Sequence, residues 1–349
     1  MNKITKILSV LLFSSVFALN VNAGELTVTG TAKASYSLGG SDASSSKGIG
    51  ISNEIGLGAS GELDNGYTWN YAIALDPNAG GTIDNDDQSL TLTTPYGTVG
   101  AFVSAGGLST ELGFGVGANG VGTDFSSPMT VTFGEDLSNY ENFQYHSPAG
   151  LLPFGVVVKA AYASNLTVQD SQDFKAGGGI ETGALGNDAT MYQITASPVA
   201  GLTVGVDYFE TEGGTNKQTP TAGNAYAKYT MGPVTVGYHK GYADVAIAAA
   251  KNTVPTNYEN TSYGIQFAVN DNLSLSYSIQ KSDEKTRVAI ANGAASNTKT
   301  SIEAEVKSLQ AAYNIGGATV GVTRTEAENS DYDANKEENI TLFTIAMAF

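Results

Sequence analysis

Two histidines, His146 and His239, and no cysteine are all that the chain offers for imidazole or thiolate chemistry. Zinc sites are assembled from several Cys and His ligands, so this pair supports none, and disulfides and Cys nucleophiles are absent by composition. Gly56-Leu57-Gly58-Ala59-Ser60-Gly61 and Gly115-Val116-Gly117-Ala118-Asn119-Gly120 match the spacing of a dinucleotide-binding glycine turn. Neither opens an amphipathic helix, the context in which backbone amides cradle a phosphate. Asp84-Asn85-Asp86-Asp87 offers hard oxygens that suit calcium and reads more simply as a solvated acidic loop. No Gly-x-Ser-x-Gly elbow and no His-Glu-x-x-His helix occurs. The sequence therefore predicts no catalytic site, no metal site and no cofactor.

What remains is charge and pattern. Among 349 residues, 34 Asp and Glu face 17 Lys and Arg, a formal net charge of -17 that would repel a nucleic-acid backbone. A charged fraction of 15% with 41% hydrophobic residues describes a folded chain rather than a disordered one. Residues 1 to 23 have the form of a cleavable secretory signal. Lys3 and Lys6 begin it, an apolar stretch runs from Ile7 to Leu19, and Val21-Asn22-Ala23 supplies small residues at the cleavage site. A mature chain starting at Gly24 loses two lysines and no acids, which leaves about -19.

The elements that must position any site follow from a period of two that starts at once and lasts to the final residue. Leu26, Val28, Ala32, Ala34, Tyr36 and Leu38 share one face of the first segment, with Thr27, Thr29, Thr31, Lys33, Ser35 and Ser37 on the other. Ile49, Ile51, Ile55, Leu57 and Leu63 repeat the pattern in the second, and Tyr67, Trp69, Tyr71, Ile73 and Leu75 in the third. Asp64-Asn65-Gly66 between them is a tight hairpin signal. About sixteen such segments follow one another, and every second connection is long. The long ones are 39–47, 77–86, 105–139, 164–188, 210–223, 241–258, 281–300 and 326–337. This parity predicts an all-β, antiparallel up-and-down barrel with one plain rim and one elaborated rim. A barrel of that size encloses water, so the polar face should point inward and the apolar face toward lipid. Tyr145, Tyr192, Tyr208, Tyr229, Tyr263, Tyr313 and Phe349 near segment ends suit interfacial girdles.

The signal, the hairpin series, the 105–139 insertion after the fifth segment and the end Phe343-Thr344-Ile345-Ala346-Met347-Ala348-Phe349 together resemble the Gram-negative outer-membrane general porins. The resemblance covers residues 24–349 and implies short periplasmic turns, long extracellular loops, a homotrimer and a terminal Phe349 read by the barrel-assembly machinery. It further implies that 105–139 folds into the lumen as a constriction loop, with Glu111, Asp124, Glu135 and Asp136 facing basic residues on the wall. Alternation turns Lys33, Lys159, Lys228 and His239 inward, with His146 a further candidate. The chain departs from the family in having only two arginines, Arg287 and Arg324, and in lacking the Pro-Glu-Phe-Gly-Gly signature of the constriction loop.

The expected function is passive diffusion of ions and small hydrophilic solutes across the outer membrane, with a preference for cations set by the acids of the long connections. These include Asp170, Asp173, Glu210, Glu212, Asp283, Glu284, Glu326, Glu328, Asp331 and Asp333. Small outward side chains at Ala32, Ala34, Ala346 and Ala348 would let barrels approach one another. The rival classes are a barrel enzyme of protease or phospholipase type, which needs His146 or His239 beside a serine and a carboxylate, and a surface adhesin or structural barrel.

Overall fold

The computed structural model describes residues 25–41, 44–77, 83–110, 136–164, 188–212, 219–244, 253–289 and 295–349. The signal at 1–23 and the loop acids Glu111, Asp124 and Glu135 lie outside the described residues.

Sixteen antiparallel strands form one closed barrel in which each strand pairs with its neighbours in sequence and β1 pairs with β16. The first half comprises β1 (Glu25–Ser41), β2 (Ser44–Glu62), β3 (Thr68–Pro77), β4 (Ile83–Thr94), β5 (Gly97–Val103), β6 (Asn142–His146), β7 (Val157–Ala163) and β8 (Asp188–Val199). The second comprises β9 (Leu202–Glu212), β10 (Thr221–Met231), β11 (Val234–Asp244), β12 (Thr253–Ala268), β13 (Leu273–Ala289), β14 (Ala295–Ile315), β15 (Ala318–Glu328) and β16 (Glu338–Ala348). The plain rim is built of tight turns apart from the longer connection 147–156. At the first tight turn Leu63 N donates to Tyr67 O at 2.7 Å, Gly66 N donates to Leu63 O at 2.8 Å, and Gly66 takes φ of 79°. That left-handed backbone is what glycine supplies without strain.

The β1–β16 ladder that closes the barrel runs from Ser41 and Glu338 through Thr31 and Ala348 and extends to the last residue. Phe349 N donates to Gly30 O at 2.9 Å and Gly30 N donates to Phe349 O at 2.8 Å. The Phe349 ring lies over Gly30 where a Cβ would stand, so a side chain at position 30 would have to displace the ring.

The outward face is apolar around the barrel, with Leu26, Ile49, Ile51, Leu90, Tyr192, Val206, Tyr238, Leu309 and Phe343 all exposed. Strands reach further toward the long-connection rim than alternation indicates: β4 begins at Ile83, β12 at Thr253 and β14 at Ala295, and β13 ends at Ala289. Backbone pairing continues there, whereas the outward side chains change from apolar to charged, so the hydrophobic signal stops before the strand does. Asp283, Glu284, Glu326, Glu328, Glu210 and Glu212 accordingly stand on strands, not on connections. All of these except Glu284 fall on the outward parity, and Glu326 and Glu328 join Glu259 and Glu305 in ion pairs there. Lys307 meets Glu305 at 2.5 Å and Glu328 at 3.0 Å, Lys281 meets Glu305 at 2.7 Å, Arg324 meets Glu326 at 3.2 Å, and Lys285 pairs with Glu259.

Two other expectations are corrected. Ala346 pairs in register with Lys33 and shares the inner parity of the buried Leu342 and Thr344, so Ala346 and Ala348 face inward while Phe343, Ile345, Met347 and Phe349 face outward. The inner face is also not polar over its whole height. Ala161, Ala163, Ala189, Met191, Phe209, Ala222, Ala243 and Tyr258 lie on it toward the long-connection rim and form a buried cluster with Leu108, Leu137 and Tyr140. Apolar side chains can face the lumen there because a returning segment covers them.

Candidate functional site

The barrel interior is the candidate site, and its best-defined part is the clamp on the segment after β5. Inner-face polar residues on β6 and on the consecutive strands β8 to β11 supply it: Gln144 on β6, Gln193 on β8, Asp207 on β9, Asn224 on β10 and His239 on β11. Registers of Gln193 with Asp207 and of Asp207 with Asn224 set three of them side by side. Asp207 accepts from Thr110 N at 2.5 Å, Thr110 Oγ1 at 2.8 Å and Asn224 N at 3.1 Å. Gln193 Nε2 donates to Leu108 O at 2.8 Å, Gln144 Nε2 donates to Gly106 O, and Asn142 Nδ2 donates to Ala105 O at 3.2 Å. Asn224 Nδ2 donates to Ser109 Oγ at 3.2 Å. A carboxylate and three amides thus satisfy the backbone of a limb that leaves the wall and turns into the lumen.

Asp136 completes the clamp from the returning side. Its carboxylate accepts from Leu108 N at 3.0 Å, Ser109 N at 2.9 Å and Ser138 N at 3.2 Å, capping the short turn Leu137–Asn139. Of the four acids expected to line a constriction, the one that is described therefore ties the two limbs of the segment together.

The basic candidates all have inward parity, and of them His146 and Lys159 are register partners while Lys33 and Lys228 stand on other strands. Lys33 pairs in register with Ser52 and Ala346, and Lys228 with Gly237 and Thr203. Lys159 lies between His146 and Gln193. His146 stacks on Phe102 at 6.4 Å between ring centroids and donates through Nε2 to Gln144 Oε1 at 2.7 Å. His239 is 0% exposed, with Nε2 3.0 Å from Asn224 Oδ1, so it braces the clamp instead of meeting lumen water. Phe349 faces outward at the plain rim, 70% exposed. Arg324 points outward, where Thr341 Oγ1 accepts from its Nη1 at 3.0 Å. Gln144, Gln193, Asp207 and Asn224 were not singled out from the sequence. Their signal was an acid and amides on the inner parity of otherwise apolar strands, positions that need a buried partner.

The last long connection, 329–337, is also ordered by its own bonds. Lys336 Nζ meets Asp331 Oδ2 at 2.6 Å and Glu338 Oε1 at 3.3 Å, and the Asp331 carboxylate holds the lysine above its ordinary pKa. Among the described residues no group of three or more His, Cys, Asp or Glu is placed to hold a metal ion.

Closure at sixteen antiparallel strands with an apolar exterior is consistent with an outer-membrane β-barrel. Solved structures carry the same fold. An anion-selective porin from Comamonas acidovorans superposes with a TM-score of 0.65 at 11% identity, covering 93% of this chain and 100% of that one. OmpT of Vibrio cholerae in trimer form gives 0.63 at 12% identity over 94% and 100%. The outer membrane channel DcaP of Acinetobacter baumannii gives 0.63 at 12% over 93% and 97%. No family model matches the sequence, and no curated protein matches it.

Proposed function

We propose that this protein is an outer-membrane porin, a water-filled channel through which ions and small hydrophilic solutes diffuse passively, without chemistry and without a cofactor. The observation that carries the reading is the closed barrel of sixteen strands with an exposed apolar exterior and a segment clamped against its inner wall. An exterior of that kind is stable in hydrocarbon and a liability in water. The resemblance then supplies the rest: export by the 1–23 signal, insertion by the barrel-assembly machinery reading Phe349, turns in the periplasm, and 105–139 as constriction loop. The histidines do not favour the enzyme reading, since both Nε2 atoms meet amide oxygens.

Homotrimer assembly is part of the proposal and rests on β1 and β2. Their outer face combines Ala32 and Ala34 with Ile49 and Ile51, which are 84% and 76% exposed. Small residues beside protruding ones let barrel walls interlock where packing drives association. Cross-linking in native membranes that captured only monomer would reject the trimer.

The channel is further proposed to prefer cations. Because the acids of β14 and β15 are spent in outward ion pairs and Asp331 is paired with Lys336, the preference rests on the absence of inward arginine among the described residues, on inward Glu54 and Glu284, and on Asp333 at the mouth. Single-channel conductance in a planar bilayer tests the channel, and the reversal potential in a KCl gradient tests its sign. No conductance would remove the channel reading; an anion-selective potential at low salt would assign control to Lys33, Lys159 and Lys228.

A further inference from the structure

Strands β15 and β16 stop at Glu328 and Glu338, whereas the neighbouring β13 and β14 run on to Ala289 and back from Ala295. The inner wall of β12 to β14 therefore continues beyond the end of β15, and 329–337 leans against it from within the barrel. Tyr332 makes the contact. Its hydroxyl is 2.7 Å from Ser282 Oγ, its ring lies 5.4 Å from that of Tyr258 at 50°, and it packs on Ala304, Val306 and Ala327. Every one of these partners has inward parity, because Tyr263, Tyr277, Leu309 and Val320 of the same strands are the exposed outward set.

The connection is held at both ends. Asn329 Nδ2 donates to Glu303 O at 2.8 Å, Asn335 N donates to Asn329 Oδ1 at 2.9 Å, and Ser330 Oγ donates to Glu338 Oε2 at 2.8 Å. Asn329, Asp331, Tyr332 and Asn335 adopt φ of 51°, 56°, 57° and 70°. Left-handed backbone is disfavoured for a side chain as large as tyrosine, and it persists where the surroundings over-determine it. Here that backbone turns the Tyr332 ring away from the rim and into the barrel. Through Tyr258, Tyr332 also touches the edge of the apolar cluster that covers the inner wall under Leu108 and Leu137.

We propose that 329–337 is a second constriction of the channel, folded into its mouth beside the clamped segment, and that Tyr332 is the positioning residue that keeps it there. The proposal rests on the channel reading. It assigns to this connection a share in setting the largest solute that enters.

The absence of native cysteine makes the test direct. Ala327→Cys places a thiol under the Tyr332 ring, at a position 2% exposed, and its labelling by a water-soluble maleimide in membranes reports whether the cover is in place. With Tyr332 present the thiol should be protected. Adding Tyr332→Ala should raise the labelling rate about tenfold or more, because the ring contacts and the hydroxyl bond go together. Tyr332→Phe, which keeps the ring, should give a smaller rise, and Ser282→Ala should match it if the alanine variant fails to fold. In parallel, Tyr332→Ala should raise single-channel conductance and let larger neutral sugars swell liposomes. Rapid labelling with Tyr332 present, or no change on its removal, would overturn the positioning role. Faster labelling at unchanged conductance and size limit would overturn the constriction. Expected labelling in a protein that never conducts would sink the channel reading itself and leave Tyr332 as a packing contact.

Discussion

Asp207→Ala should release the limb at 105–110 while leaving the barrel intact. The carboxylate accepts two bonds from Thr110, at 2.5 and 2.8 Å, and two from Asn224 Nδ2 and N, at 3.2 and 3.1 Å to Oδ1, so its removal orphans donors on both the limb and the wall. Hydrogen bonds to a charged group contribute roughly 1.5–3 kcal/mol each. The two from Thr110 alone then hold the limb by at least about 3 kcal/mol, which is on the order of a hundredfold in the opening equilibrium. Strand pairing of β9 with β8 and β10 is backbone to backbone and does not involve the side chain. Native-state hydrogen exchange is the assay, read at the amides of Leu108, Ser109 and Thr110 against those of Val206 and Tyr208. The first group should exchange about a hundredfold faster and the second should not change, with channel current growing noisier in the same variant. Asp207→Asn keeps one acceptor oxygen and should fall between. Unaltered exchange at Thr110 would refute the reasoning and shift the anchoring to Gln193 and Asp136.

Replacing Phe349 with serine should slow barrel assembly and leave unfolded precursor in the periplasm, seen as loss of the heat-modifiable band. Gly30→Val should act the same way by displacing the Phe349 ring. Glu305→Gln removes the carboxylate shared by Lys281 and Lys307, at 2.7 and 2.5 Å. Both lysines are one-third exposed, so the loss should stay below about 1 kcal/mol and shrink as salt rises, measured by denaturant unfolding in detergent.

The barrel was legible in the sequence because a strand's side chains alternate, and a two-faced wall writes that alternation sixteen times over. Alternation also assigned the inward parity of Lys33, Lys159, Lys228 and His239, since parity is a local property. It failed where chemistry on one face changes with height. Lys281, Asp283 and Lys285 interrupt the apolar pattern without interrupting β13, so the connection 281–300 was expected where β13 runs on to Ala289 and β14 already begins at Ala295. It failed again at Ala346 and Ala348, whose small size was read as an outward feature although their parity is that of Thr344. Local pattern could not determine what covers the inner wall. Asp207 meets Thr110 across 97 positions, and Tyr332 meets Ser282 across 50. Only the pairing of strands distant in sequence brings those residues within bonding distance, and that pairing is what turned an isolated acid into a clamp and set a loop tyrosine against the inner wall.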